Sequence, residues 1–542
     1  MMLKPGLMMD RPLLISGIIE HAAAQFGDTQ IVSRETHGPV FRYSYAQCAA
    51  RAASLANALR HLGIGAGSSV GSIAWNNHRH LEAYYAVSGS GMVIHTCNPR
   101  LHPEQLIYII NHADDRALLF DANFAALIEK IAPHCPKVAH WICLADAAHM
   151  PAVEGIAGLC CYEDLIAAHE SAFEWPEFDE HTGAALCYTS GTTGNPKGAL
   201  YSHRSMVLNA LTICMPGILG LCPRETMLPM VPMFHVNAWC LPYAALIAGA
   251  KLVLPGPRMD GAALYELLET EKVSVAAGVP TVWLGLVQHL DQHDLRLSTL
   301  RRAVAGGSAM PLSTIANLNE RYGIDVRQGW GMTETVAVAT LSALDSRQLE
   351  SSPADCHSII AKQGKSVFGV DIKVVDEHGA TLPRDGRSQG ELMVRGNCIV
   401  RAYYKGDSSP LAAGWFPTGD IATIDAQGVM QIRDRAKDLI KTGGEWISSI
   451  DLENTVIGHP EVAAAAVIGV KHPKWQERPL LFVVRKQGST LERGEILGFL
   501  SARLARLCVP DDVIFLESLP VGGTGKVQKA VLREKYGNVF DQ

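Results

Sequence analysis

The chain has 542 residues, 48% hydrophobic and 19% charged, with a formal net charge of −7 at pH 7. That composition is globular, so wholesale disorder is excluded, and at about 150 residues per domain the length gives three or four folding units. A dedicated nucleic-acid binder carries a basic excess, which this chain lacks.

The thirteen cysteines are scattered, and none forms a C-x-x-C pair. Reduced, buried thiols are expected rather than a zinc ribbon, an iron–sulfur site or a disulfide framework. The first apolar stretch, Leu13 to Ile19, is short and runs straight into Glu20, so no signal peptide is expected. Tyr45 to Leu62 has helical apolar spacing, with Gly63 as a C-cap signal. Ser69 to Ala74 reads as a strand, His80 to Gly91 as a helix and Val93 to Thr96 as a strand. Ala117 to Asp121 and His140 to Leu144 continue the alternation, which predicts an α/β fold of mainly parallel sheets.

Ser205 to Pro223 and Thr226 to Ala250 lack charged residues and are long enough to span a membrane. Asn209, Pro216 and two glycines interrupt the first. Pro229, Pro232, His235, Asn237 and Pro242 interrupt the second. Both read as buried core with loops. The C-terminal residues, Asn538 to Gln542, form neither a retention signal nor a prenylation box, so a cytoplasmic protein with no transmembrane segment is expected. After residue 370 short strand-like runs with glycine turns take over: Asp371 to Asp376, Gly390 to Arg395 and Val429 to Arg433. They predict a β-rich subdomain, a small distorted barrel. Arg433 to Asp438 is too polar for a core, and the main domain boundary is placed there, after residues 1–433. Residues 439–542 suffice for one small α/β domain.

Five motifs carry chemistry. Tyr188 to Gly198 follows a strand-like lead with glycines, hydroxyls and one lysine. Glycines let backbone N–H groups face an anion, hydroxyls add donors and metal ligands, and the lysine adds charge. Lys197 is followed by Gly198 rather than Ser or Thr, so this is not a Walker A loop. Gln328 to Thr335 offers a flat aromatic, Trp330, and a hydroxyl–carboxylate pair, Thr333 and Glu334. Gly414 to Asp420 is a turn presenting one carboxylate, suited to a ribose diol. Arg433 to Ile450 holds Arg435, Lys437, Lys441 and the pair Gly443-Gly444. Pro520 to Val527 places Lys526 on a glycine-rich loop. Taken singly, the last three read as a hairpin turn, a solvated charge run and a surface turn.

In this order and over essentially the whole chain, the motifs resemble those of the acyl-adenylate-forming (AMP-binding) enzymes. The nearest resemblance is to bacterial medium- and long-chain fatty acyl-CoA synthetases. The resemblance implies a large N-terminal adenylate-forming domain, a hinge at 434–438 and a mobile C-terminal lid at 439–542. It implies ATP, Mg²⁺ and coenzyme A as cofactor or co-substrates, a small-molecule carboxylate substrate and a homodimer, with peripheral membrane contact left open. Thr189, Ser190, Gly191, Thr192, Thr193, Gly194 and Lys197 would hold phosphates, and Thr189 with Glu334 the magnesium. Gly307, Gln328, Gly329, Trp330, Thr333, Asp420, Arg435 and Lys437 would complete the nucleotide site, with Trp330 against adenine, Asp420 on the ribose and Lys437 as pivot. Lys526 would be the catalytic lysine, although Val521 departs from the charged residue usual after Pro520.

His235, Asn237 and Trp239 would line the acyl pocket, where a tryptophan can gate a lipid channel. Lys441, Gly443, Gly444, Trp446, Glu477 and Arg478 would lie along the approach of CoA. Some relatives with nearly the same motifs activate a short methylthio-substituted propionate, and that substrate stays open. So does an adenylating enzyme that does not use CoA, against which Trp446, Glu477 and Arg478 speak. A non-catalytic binding module conflicts with the joint presence of Thr189, Glu334 and Lys526.

Overall fold

The computed structural model describes residues 6–37, 39–153, 155–189, 195–406, 408–442, 445–522 and 526–540. Two large sheets form the N-terminal part. The first has seven strands in the spatial order Leu159–Cys161, His140–Cys143, Asp115–Phe120, Ser69–Ile73, Val93–Thr96, Gly183–Thr189, Lys197–Ser202. Six of these run parallel, and Lys197–Ser202 returns antiparallel to Gly183–Thr189. The second, nine-stranded sheet has a parallel centre that includes Thr226–Pro229, Val275–Gly278, Arg302–Ala305 and Asp325–Trp330, with antiparallel strands at both edges.

Helices cover the sheets and share one large apolar core with them. Tyr45–His61 starts from Ser44, whose hydroxyl accepts the Gln47 N–H while the Gln47 side chain accepts the Ser44 N–H, a reciprocal cap. The charge-free stretch beginning at Ser205 supplies most of the helix His203–Cys214, with Met206, Val207, Ala210 and Ile213 buried and Leu211 exposed, and the next supplies a strand and the helix Leu241–Ala248. No helix among the described residues is long and apolar enough to cross a membrane. The thirteen cysteines are unpaired, six of them buried.

The β-rich subdomain is a four-stranded antiparallel sheet in sequence order, Val370–Val375, Gly390–Gly396, Phe416–Ile424 and Met430–Arg435. Isolated bridges, Met430 to Gly364 and Val375 to Thr381, extend its two outer strands, and this sheet is the expected β-rich subdomain. The last strand runs through Arg435, which pairs with Asp420, so two residues of the expected hinge are sheet residues and 436–438 form the turn. Asp434 is buried there, where the backbone N–H and hydroxyl of Ser449 donate to its Oδ2 at 2.6 and 2.7 Å. Beyond the turn a mixed five-stranded sheet centres on Val462–His472 and Gln476–Arg485. Separate apolar clusters, one around Leu481 and Ile496 and one around Phe482 and Leu532, pack on its two faces.

Candidate active site

The hairpin between the last two strands of the seven-stranded sheet sets Thr189 opposite Lys197, and the Thr189 hydroxyl donates to the Lys197 carbonyl at 3.4 Å. Its tip, Ser190 to Gly194, lies outside the described residues. The Tyr404 N–H donates to the Gly198 carbonyl at 2.8 Å, and the Lys197 ammonium stands 5.0 Å from the centre of the Tyr403 ring. The Tyr403 hydroxyl donates to Glu334 Oε1 at 2.8 Å. Tyr403 therefore ties this hairpin to the acidic residue of a distant motif. Sequence reasoning missed it, because adjacent tyrosines before Lys405 suit any loop.

Glu334 sits in the short 3-10 turn Thr333–Thr335, which leaves the end of Asp325–Trp330. The Met332 N–H donates to the Thr335 hydroxyl at 2.9 Å, and Tyr201 donates to the Thr333 carbonyl at 2.7 Å, so the turn is fixed from both sides. Burial pushes the Glu334 carboxyl above its ordinary range, opposed by the Tyr403 hydrogen bond and the Arg435 charge. Its Oε2 has no hydrogen-bond partner among the described residues.

Asp420, buried on Phe416–Ile424, accepts the Trp330 indole N–H on Oδ2 at 2.8 Å and pairs through Oδ1 with Arg435 Nε at 2.8 Å. Three motifs 90 and 15 residues apart thus meet at one carboxylate. Gly329 pairs with Leu341 of the neighbouring antiparallel strand, Thr340–Leu341. Gln328, expected at the nucleotide, is fully buried and turned away. Its amide oxygen accepts the Met310 N–H and its nitrogen donates to the Ala361 carbonyl, so the side chain is spent on holding backbone.

Lys526 reaches this cluster from the C-terminal domain. A Cβ built on Gly307 would lie 3.2 Å from Lys526 Cε and 3.8 Å from Nζ, and Gly307 itself has φ +86°. Glycine there avoids both a crowded contact and a backbone conformation costly for other residues. Desolvation lowers the Lys526 ammonium to about 8, and the Arg435 charge adds to this against the pull of Asp420 and Glu334. His235 lies close enough to feel Lys526. Burial first, then that positive charge, lowers it to about 3, so its ring is neutral.

After His235 the chain makes a turn, Val236–Trp239, in which every residue through Cys240 has φ between +46° and +58°. None is glycine, and each such residue costs about 1–2 kcal/mol. The surroundings hold the turn: Asn237 is fully buried against Cys187, whose thiol lies 3.4 Å from Asn237 Oδ1. The turn delivers the Trp239 ring over Gly306, where a Cβ would come within 3.0 Å of it.

The residues expected along the approach of CoA divide. Lys441 lies 4.5 Å over the ring of Trp446, which is 52% exposed, and the Lys441 N–H donates to Glu477 Oε2 at 2.9 Å. Gly443 and Gly444 lie outside the described residues. Arg478, expected beside this group, is instead a buried strut. Its guanidinium donates to Asp511 and to the carbonyls of Leu507 and Val509 at 2.6–3.0 Å, so its donors are used inside the domain. Lys437 is exposed at the turn, its ammonium lowered by partial desolvation and then by the Arg435 and Arg533 charges.

Residues 19–404 match the family model described as AMP-binding enzyme, and residues 451–526 the AMP-binding enzyme C-terminal domain. The chain is 48% identical to a medium-chain-fatty-acid–CoA ligase of Ectopseudomonas oleovorans, over 99% of this chain and 98% of that protein. It is also 48% identical to a 3-methylmercaptopropionyl-CoA ligase of Ruegeria lacuscaerulensis (98% of each chain) and 44% identical to a long-chain-fatty-acid–CoA ligase of Thermus thermophilus (99% and 98%). Among solved structures, ATP-bound MatB from Rhodopseudomonas palustris superposes with a TM-score of 0.80 at 26% identity, over 97% of this chain and 99% of that one. The family model spans the hairpin of Thr189 and Lys197 and the turn of Glu334, its C-terminal companion ends at Lys526, and relatives match over nearly the full length: this chain belongs to the AMP-binding enzymes.

Proposed function

We propose that the protein is an ATP-dependent acid–thiol ligase. It would convert a medium- or long-chain fatty acid to its acyl-adenylate and then to the CoA thioester, with release of pyrophosphate and AMP. The observation that carries this reading is Lys526, a C-terminal-domain residue seated against Gly307 within the electrostatic reach of Glu334, Asp420 and Arg435. A carboxylic acid is almost fully ionised at neutral pH, since its pKa is about 4 by analogy with Asp and Glu, so no enzymic nucleophile is needed for its attack on the α-phosphate. The protein must align the two anions and neutralise the charge that spreads as they meet, which suits an ammonium already desolvated in place.

Thr189 and Glu334 fit a magnesium ion: the donors are hard oxygens, and Glu334 Oε2 has no partner among the described residues. They would hold the ion, which when bound neutralises phosphate charge. Lys197 would add its own charge at the hairpin. In the second half-reaction Lys437 would be the pivot that withdraws Lys526. His235 is a poor base for the thiol in this pose, because burial and then the Lys526 charge lower its imidazolium to about 3, too acidic to hold a proton taken from a thiol. It serves better as pocket wall with Asn237 and Trp239. The same reading carries a cytoplasmic homodimer, testable by light scattering.

A second substrate reading has its own support. Relatives 48% and 47% identical are named 3-methylmercaptopropionyl-CoA ligases, from two Ruegeria species. A carboxylate panel from propionate and 3-methylthiopropionate to palmitate, read as CoA-dependent AMP release, separates the two. For a fatty acid channel kcat/KM rises with length until the channel fills, by roughly tenfold or slightly more per two carbons at ~0.8 kcal/mol per buried CH₂. A maximum at three or four carbons, with octanoate poor, selects the short acid. No AMP release with any acid overturns the ligase reading.

A further inference from the structure

We propose that Trp330 is a positioning residue for the nucleotide ribose, acting through Asp420. This rests on the adenylate-forming reading above, and concerns the edge of the indole rather than its face.

Among the described residues the Asp420 carboxylate accepts one hydrogen bond, from the Trp330 N–H on Oδ2, and its Oδ1 is ion-paired with Arg435 Nε, both at 2.8 Å. Its own N–H is tied to the Thr418 hydroxyl at 3.1 Å. A carboxylate offers about four acceptor positions, two per oxygen. The indole takes one on Oδ2, which leaves acceptor positions on both oxygens, and these suit two adjacent hydroxyls, the vicinal diol of a ribonucleotide. The indole hydrogen bond and the Arg435 ion pair together restrain the carboxylate from rotating about its Cβ–Cγ bond. Arg435 is the less firmly held of the two, since its side chain is 43% exposed. The Trp330 ring belongs to a strand of the nine-stranded sheet and packs against the large core. Among the large aromatic side chains Phe, Tyr and Trp, indole is the one that donates from a ring N–H at its edge. Phenylalanine has no donor, and the tyrosine hydroxyl sits at the far tip. A tryptophan at this position therefore joins adenine stacking to ribose selection in one side chain.

The test is pyrophosphate exchange with ATP, 2′-deoxyATP and 3′-deoxyATP on the wild type, Trp330→Phe, Asp420→Ala and the double variant, each checked for folding by thermal melting. Trp330→Phe should raise KM for ATP by about tenfold, the low end for a hydrogen bond to a charged group. It should shrink the deoxyATP-to-ATP ratio of KM by a similar factor, move kcat by less than about threefold, and leave the preference for ATP over GTP in place. With Asp420→Ala already present it should leave the ribose ratio unchanged, since coupled residues are non-additive. A benzothienyl analogue of Trp330, with sulfur in place of the N–H, keeps the bicyclic shape and should reproduce the Phe variant if that variant folds poorly. Equal weakening of ATP and both deoxy analogues would overturn the proposal, because Trp330 would then act through its face alone. A changed ribose ratio that persists without Asp420 would also overturn it. Failure of the wild type to exchange pyrophosphate with any acid would instead remove the adenylate-forming reading, and calorimetric titration with the same three nucleotides would still decide the role of Trp330.

Discussion

Removing the Lys526 ammonium should abolish one half-reaction and spare the other. Lys526 is tethered to the C-terminal domain yet sits against Gly307 in the N-terminal domain, so it acts only while the domains are closed in this way. Two opposite charges about 4 Å apart at an effective dielectric of about 20 interact by ~4 kcal/mol. Lys526 keeps some solvent access, so ~3–4 kcal/mol is the working figure, a rate factor of about 10²–10³. Lys526→Ala should lose acyl-adenylate formation by that factor. Supplied with synthetic acyl-AMP and CoA in a single turnover, it should form the thioester at near the wild-type rate. The pH dependence has a definite sign. The group is lowered to about 8, so it is charged below that pH, and adenylation in the wild type should fall as pH rises through about 8. An Ala variant equally slow from acyl-AMP, or a wild-type adenylation rate flat to pH 10, would refute the reasoning.

Three other outcomes are expected. Glu334→Ala should lose pyrophosphate release at an unchanged melting temperature, since a buried carboxyl with a raised pKa contributes little to folding; normal release from the folded variant would remove it from the site. Lys437→Pro should slow thioester formation more than adenylation. Proline fixes φ near −65°, and the Lys437 N–H has no acceptor among the described residues, so the rigid turn costs motion rather than a bond; equal loss in both steps would mean misfolding instead. Arg478→Met should cost about 2–4 kcal/mol of stability by leaving Asp511 and two carbonyls without their donor, read as a lower denaturant midpoint, while KM for CoA stays within about twofold. A large rise in that KM without loss of stability would return Arg478 to the CoA path.

The sequence exposed the parts of this molecule whose physics is local. The helix at Tyr45–His61 and the strand at Val93–Thr96 lie where apolar spacing and turn residues put them. Trp330, Asp420, Arg435 and Lys526 were legible because each stands in a run whose glycines and hydroxyls are unusual, and the fold brings all four together. Strand order was not legible, since Ser69–Ile73 lies between two strands that follow it in the chain. Side-chain direction inside a motif was not legible either. Gln328 and Arg478 stand beside residues that face the site, yet alternation along a strand and a nearby backbone acceptor turn them inward. Tyr403 is tied to Glu334 across 69 residues, a contact without any local pattern. The positive-φ turn after His235 has no sequence signal, because valine, alanine and tryptophan ordinarily avoid it.

Gly306 and Gly307 have a joint consequence. Trp239 lies over the first and Lys526 over the second, and consecutive Cα atoms are about 3.8 Å apart. The Trp239 ring and the Lys526 side chain are thus registered to each other by a single peptide unit, as two marks on one ruler. Under the proposed ligase reading, an acid passing Trp239 would have its head group placed by that spacing whatever the length of its tail. Chain length would then be read away from this peptide unit, and substitutions there would retune which acid is accepted while the geometry of attack stays as it is.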